Sequence, residues 1–145
     1  MDPYKIIKYP LTTEKSVRIM ESENKITFIN TDGLDEKMLK KAKEDGVKVI
    51  VSDVEWRADL SLSLTETTPN IDQTIPSTPI LFGKLNRLVS KNIIMHMAAN
   101  TNKEQLMALG ECEIEEMFYE GKVKFINVYF GDLIHNKGVT RYSMD

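Results

Sequence analysis

Lys25-Ile-Thr-Phe-Ile-Asn30, followed by Asp35-Glu-Lys-Met-Leu-Lys-Lys-Ala-Lys-Glu-Asp-Gly-Val-Lys-Val-Ile-Val51, is the stretch on which the fold turns. Ile26 and Phe28 alternate as in a half-buried strand, and Thr31-Asp-Gly33 reads as a turn. Asp35 is placed to cap a helix. Leu34 and Leu39 sit at staple positions around that cap, and Gly46 ends the helix. Met38, Leu39 and Ala42 form its expected inward stripe. Val47-Lys-Val-Ile-Val51 then predicts a buried strand continuing toward Trp56.

The same layout returns later. Phe82, Leu85 and Val89 have helical spacing over 82–89, and Asn92-Ile-Ile-Met-His-Met-Ala98 predicts a strand. Thr101-Asn-Lys-Glu104 matches a capping box. The helix it opens carries Leu106, Leu109, Ile114 and Met117 toward Phe118, with Gly110 as a point of bending or breakage and Gly121 as its end. Lys122-Val-Lys-Phe-Ile-Asn-Val-Tyr-Phe130 is a strand, Gly131-Asp132 a turn, and 139–143 a last strand. Between the halves, residues 57–80 hold eight Ser or Thr and three Pro (Pro69, Pro76, Pro79), with no sustained period beyond the Leu60, Leu62, Leu64 alternation. They are expected to form a flexible insertion or long connection. The sum is an α+β chain of one domain, 1–145. Its expected core is a ferredoxin-like βαββαβ sheet with helices on one face and a long loop between the halves. A doubly wound parallel sheet is the alternative.

Bulk composition narrows the function. The 145 residues are 41% hydrophobic and 28% charged, as in ordinary globular domains. No apolar run is long enough for a membrane span, no signal-peptide pattern follows Lys5 and Lys8, and a cytoplasmic location is expected. The single cysteine, Cys112, excludes an intrachain disulfide and a cysteine-only metal cage. The net charge of −3 is unusual for a nucleic-acid binder, but it is unevenly spread. Residues 1–20 hold four basic side chains against two acidic ones, and Lys84, Arg87 and Lys91 form a second basic stretch.

The first of these basic stretches carries a resemblance. It runs Met1-Asp-Pro-Tyr-Lys-Ile-Ile-Lys-Tyr-Pro-Leu-Thr-Thr-Glu-Lys-Ser16 and leads through Glu23-Asn-Lys-Ile-Thr-Phe-Ile-Asn30. An extended lead ends at Pro10, Thr13 caps a short helix over 14–21 with Val17 and Met20 on one side, and a strand opens after Glu-Asn-Lys. This resembles the start of the large-subunit ribosomal protein twenty-three family, most of all its archaeal members. The resemblance implies a ribonucleoprotein role in translation: contact with large-subunit rRNA and neighbouring ribosomal proteins, with no catalysis and no cofactor. By position, the family's early rRNA contacts fall on Lys5, Lys8, Thr12, Thr13, Lys15 and Ser16, with Arg18 beside them. The chemistry suits that role, since a helix N-terminus offers free N–H groups to phosphate, hydroxyls add hydrogen bonds and lysines add charge. The blander reading makes Thr12, Thr13 and Ser16 plain helix caps. The family's continuation after the first strand occurs twice, at 40–49 and in Glu115-Glu-Met-Phe118 through Val128. Its basic hairpin extension has no counterpart, because residues 57–80 are almost free of Lys and Arg.

Other chemistry has thinner support. His96 lies in an apolar strand and reads as a core histidine, while His135 falls in a loop. Leu133-Ile-His-Asn136 is similar to the Leu-Ile-His-Gly box of sugar phosphotransferase IIB domains, but it lacks the glycine and sits near the C-terminus. Two histidines and one cysteine make no zinc pattern, and the glycines are too scattered for a nucleotide loop. Glu111 and Glu113 beside Cys112 favour its thiol form. Glu115-Glu116 and Glu44-Asp45 read as exposed helix faces. Phe125 and Tyr129 share a strand face flanked by Lys122 and Lys124, and either stack unpaired bases or pack in the core. The alternative function is a small protein-interaction or regulatory domain that binds a protein partner or a second copy of itself. A small enzyme using His96 or His135 comes third.

Overall fold

The computed structural model describes residues 26–29, 35–54, 56 and 67–145, with the backbone alone described at 26–29. The strands are β1 (Ile26–Ile29), β2 (Val49–Asp53), β3 (Asn92–Ala98), β4 (Cys112–Tyr119), β5 (Lys122–Phe130) and β6 (Gly138–Ser143). The helices are α1 (Glu36–Glu44), α2 (Thr78–Leu88) and α3 (Lys103–Leu109). All six strands join one mixed sheet in the order β1-β2-β3-β5-β4-β6. β1, β2 and β3 run parallel, β5 is antiparallel to both β3 and β4, and β6 is parallel to β4.

β3 shows why its sequence is almost wholly apolar. It lies between β2 and β5, and every residue from Asn92 to Ala98 is buried. A strand covered on both faces loses the polar half of its alternation. Its odd-numbered members Ile93, Met95 and Met97 join Ile50, Ile114, Ile126, Val128 and Phe130 on one face. All three helices meet that face, through Leu39 of α1, Leu81, Leu85 and Leu88 of α2, and Leu106 of α3. Leu39, Leu81, Leu85 and Leu106 are fully buried, each contributing about 2 kcal/mol by leaving water. Phe82 adds a tilted ring contact to Phe130 with centroids 4.6 Å apart.

Local rules account for the element ends. The Asp35 carboxylate accepts from Lys37 N at 2.9 Å, and Gly46 follows α1 with φ of 83°. The Asn102 side chain caps α3 by accepting from Gln105 N at 3.0 Å. α2 is capped from four residues upstream: the buried Thr74 hydroxyl accepts from Thr78 N at 3.0 Å and lies 2.7 Å from the Thr78 hydroxyl. β4 and β5 form a tight hairpin through Glu120 and Gly121, with φ of 49° and 79°.

Several expectations are corrected. The sheet is not the ferredoxin-like βαββαβ arrangement, because β1–β3 form a parallel block and the second half is no copy of the first. β3 meets β5 antiparallel, so strand, helix and strand there do not make a βαβ unit. The helix expected to run from 101 toward 118 stops at Leu109, and 112–119 is a strand. Its Cys112, Ile114 and Glu116 share one face while Glu113, Glu115 and Met117 share the other, a period of two that its apolar spacing disguised. Of the two family-like continuations, the one at 40–49 leads into β2, which pairs with β1, while 115–118 lies inside β4. Met38 is 49% exposed and so off the inward stripe, whereas Leu39 holds it. α2 begins at Thr78, four residues before the expected start.

Part of the long connection is structured. Residues 71–73 form a 3-10 turn with Ile71 buried. Asn102 N donates to the Pro69 carbonyl at 2.8 Å, and the Gln105 side chain accepts from Ile71 N and donates to Asn70 Oδ1. Those bonds lace 69–73 to the start of α3. The expected helix over 14–21, the turn at 31–33, Leu34 and the leucine alternation at 60–64 lie outside the described residues. Among the described residues, no helix is long and apolar enough to cross a membrane.

Candidate functional site

The expected RNA contacts Lys5, Lys8, Thr12, Thr13, Lys15, Ser16 and Arg18 all lie outside the described residues. The second basic stretch lies within them, and it does not act as one patch. Lys84 and Arg87 project from α2 toward Glu36 of α1, at 4.0 and 3.4 Å. Lys91, beyond the end of α2, instead meets Asp132 at 3.2 Å.

The sheet face away from the three helices holds the densest polar chemistry among the described residues. Register brings Asp53 of β2, His96 of β3, Asn127 of β5 and Glu115 of β4 into one row across the strands. His96 is 9% exposed, with its ring between Trp56 and Phe125 at centroid distances of 4.9 and 4.5 Å. Its Nδ1 lies 3.3 Å from Asn127 Oδ1, which accepts from the Nδ1–H tautomer. Burial drives the imidazole pKa down from 6.5 to about 4, against the smaller opposing effect of that hydrogen bond. The ring is therefore neutral at physiological pH. Trp56 Nε1–H donates to the His96 carbonyl at 3.2 Å, which holds the indole over the strand.

The carboxylates on this face act as acceptors. Tyr129, fully buried, donates its hydroxyl to Glu115 Oε1 at 2.6 Å. Glu113, 2% exposed, accepts from His135 N and Asn136 N on Oε1 and from the Thr140 hydroxyl on Oε2. Three donors on one carboxylate compensate for its removal from water. Glu113 thereby anchors the loop that leads into β6.

One reading of individual residues changes and three are made specific. Glu115-Glu116 is not an exposed helix pair: Glu115 is buried, and Glu116 turns to the other face near Lys103 and Arg141 at 3.7 and 3.6 Å. Tyr129 cannot stack a base, since its ring is enclosed and its hydroxyl engaged, while Phe125 packs on His96. Cys112 keeps its thiol because burial pushes its pKa up, with the flanking glutamates not among the causes. His135 contributes a backbone N–H to Glu113, and its side chain is exposed. The sequence signal for this polar face was the alternation of Cys112 and Ile114 with Glu113 and Glu115. No family model matches the chain.

Proposed function

We propose that this chain is a non-catalytic component of the large ribosomal subunit that contacts rRNA through its N-terminal segment. The observation that carries the proposal is the sequence of the opening thirty residues, where Lys5, Lys8 and Arg18 flank the Thr-Thr-Glu-Lys-Ser stretch that contains Lys15. The collinear succession of β1, α1 and β2 directly after that opening supports it, because β2 is the strand that pairs with β1. The neutral, enclosed His96 and the fully engaged Glu113 favour a structural use of the polar sheet face.

Filter binding of the full chain to large-subunit rRNA tests the proposal. Phosphate contacts make affinity fall steeply between about 50 and about 200 mM salt. Replacing Lys5, Lys8 and Lys15 together with Gln should flatten that dependence by about two units of log–log slope. Affinity indifferent to salt, or unchanged in the triple variant, overturns it.

A second reading rests on the β6 edge. β6 pairs only with β4 among the described residues, and Val139 and Tyr142 on it are exposed, Val139 at 47%. An apolar, unpaired strand edge is a template for pairing with another chain. A partner protein or a second copy of this chain is the occupant that chemistry selects.

A further inference from the structure

Two turns at the same end of the parallel block face each other across an open depression of about 510 Å3. One joins α1 to β2 and carries Lys48, with Lys43 beside it in the last turn of α1, and the other joins α2 to β3 and carries Ser90 and Lys91, with Asn92 opening β3 and Asp132 completing the rim. A space of that size accommodates a nucleotide-sized group. We infer that this depression binds a phosphate group, and that the phosphate belongs to a nucleic-acid backbone.

Charge is the first reason. Three ammonium groups and one carboxylate line the rim. Lys43 and Lys48 are exposed and have no carboxylate at ion-pair distance among the described residues. Lys91 is held by Asp132 at 3.2 Å through an exposed pair that solvent screens and a more highly charged anion can replace. The C-terminal ends of α1 and α2 also lie here, each equivalent to about half a negative charge. They offset about one of the two surplus positive charges. The remaining attraction suits a phosphate that other contacts help to hold, which favours a polymer over a free ion.

Rigidity is the second reason. The Ser90 hydroxyl donates to the Lys48 carbonyl and accepts from Asn92 N, so one side chain ties the two turns together. Asn92 Oδ1 accepts from Asp132 N at 2.9 Å. Gly131, at φ of 68°, sits where a Cβ would come within 2.5 Å of Asn92 Oδ1 and 2.7 Å of the Lys91 carbonyl. The lysines therefore project from a rim already fixed by hydrogen bonds, which lowers the ordering cost of binding.

The inference relies on the proposed rRNA role only for the source of the phosphate. It is tested by amide chemical-shift mapping on the full chain, titrated separately with inorganic phosphate and with a single-stranded RNA oligonucleotide. Saturable shifts at Ser90, Lys91, Asn92 and Asp132 are expected with RNA, together with weaker ones with phosphate. Shifts with phosphate but not RNA overturn the backbone as its source, and none with either overturns the site. Changing Lys43, Lys48 and Lys91 together to Gln should abolish the shifts, whereas D132N should tighten RNA binding by on the order of threefold by removing the competing carboxylate. Weaker binding in D132N would assign Asp132 a purely structural part and overturn the exchange at Lys91. The variant lacking Lys5, Lys8 and Lys15 separates the two proposals: it should lose rRNA affinity yet keep the phosphate shifts. Those shifts surviving in the Lys43, Lys48, Lys91 variant would sink the site and leave the N-terminal one standing.

Discussion

Protonating His96 in the folded chain means placing a charge between the rings of Trp56 and Phe125. The folded pKa of about 4 lies below the 6.5 of an unfolded chain, so the unfolded state takes up the proton first. The stability due to neutral His96 is complete at neutral pH and drains away as pH falls from about 6.5 toward about 4. At pH 5 the loss is about 2 kcal/mol. Urea unfolding of wild type and His96→Gln at pH 7 and pH 5 measures it: the variant should lose less than wild type by about that amount, and equal losses refute the assignment. Glu120 is a second residue whose conformation has a measurable cost. It holds a positive φ that a branched or long side chain rarely adopts, beside Gly121 in the β4–β5 hairpin. Glu120→Asn should raise stability by about 0.5–1 kcal/mol, read as a higher melting temperature. A lower one would show that Glu120 makes a compensating contact.

Among the elements, α2 depends on a residue outside it. Ser77 occupies its N-cap position without a side-chain hydrogen bond, and Thr74 supplies the acceptor instead. Thr74→Val keeps the shape and deletes the hydroxyl, leaving Thr78 N and the buried Thr78 hydroxyl short of a partner. A loss of about 1–3 kcal/mol is expected, with the denaturant midpoint as the readout. A Thr74→Ser variant should recover most of it. The legibility of the elements follows the same division between local and distant causes. α1 was readable from Asp35 to Gly46 because cap and stop are both encoded within one helix length, although its inward stripe runs through Leu39 without Met38. β3 and β5 were readable as apolar or alternating runs. β4 was not, because Leu106, Leu109, Ile114 and Met117 also satisfy a helical spacing. Only the pairing of Cys112 with Phe130 and of Ile114 with Val128 resolves the ambiguity.

At the scale of the molecule the sheet separates two environments. One face binds three helices through aliphatic side chains, and the other carries His96, Asn127, Tyr129, Glu113 and Glu115 in a satisfied polar network. The edge at β6 leaves Val139 and Tyr142 in solvent. If that edge pairs with another copy, sedimentation equilibrium should show a concentration-dependent dimer that Val139→Lys dissociates, since a charged edge blocks strand addition. A wild-type monomer across the accessible concentration range removes the second-copy form of that reading. Salt-dependent rRNA binding in the same monomer would leave the N-terminal arm as the carrier of function.

The sequence by itself determined where most strands lie, how α1 begins and ends, and the shortage of net positive charge. These are short-range properties, set by neighbours within a turn or a strand. Strand order, the parallel block of β1–β3, the strand identity of 112–119, and the meeting of Lys43, Lys48 and Lys91 around one depression were decided only by the tertiary structure. Each depends on contacts between residues tens of positions apart, which local propensity does not encode.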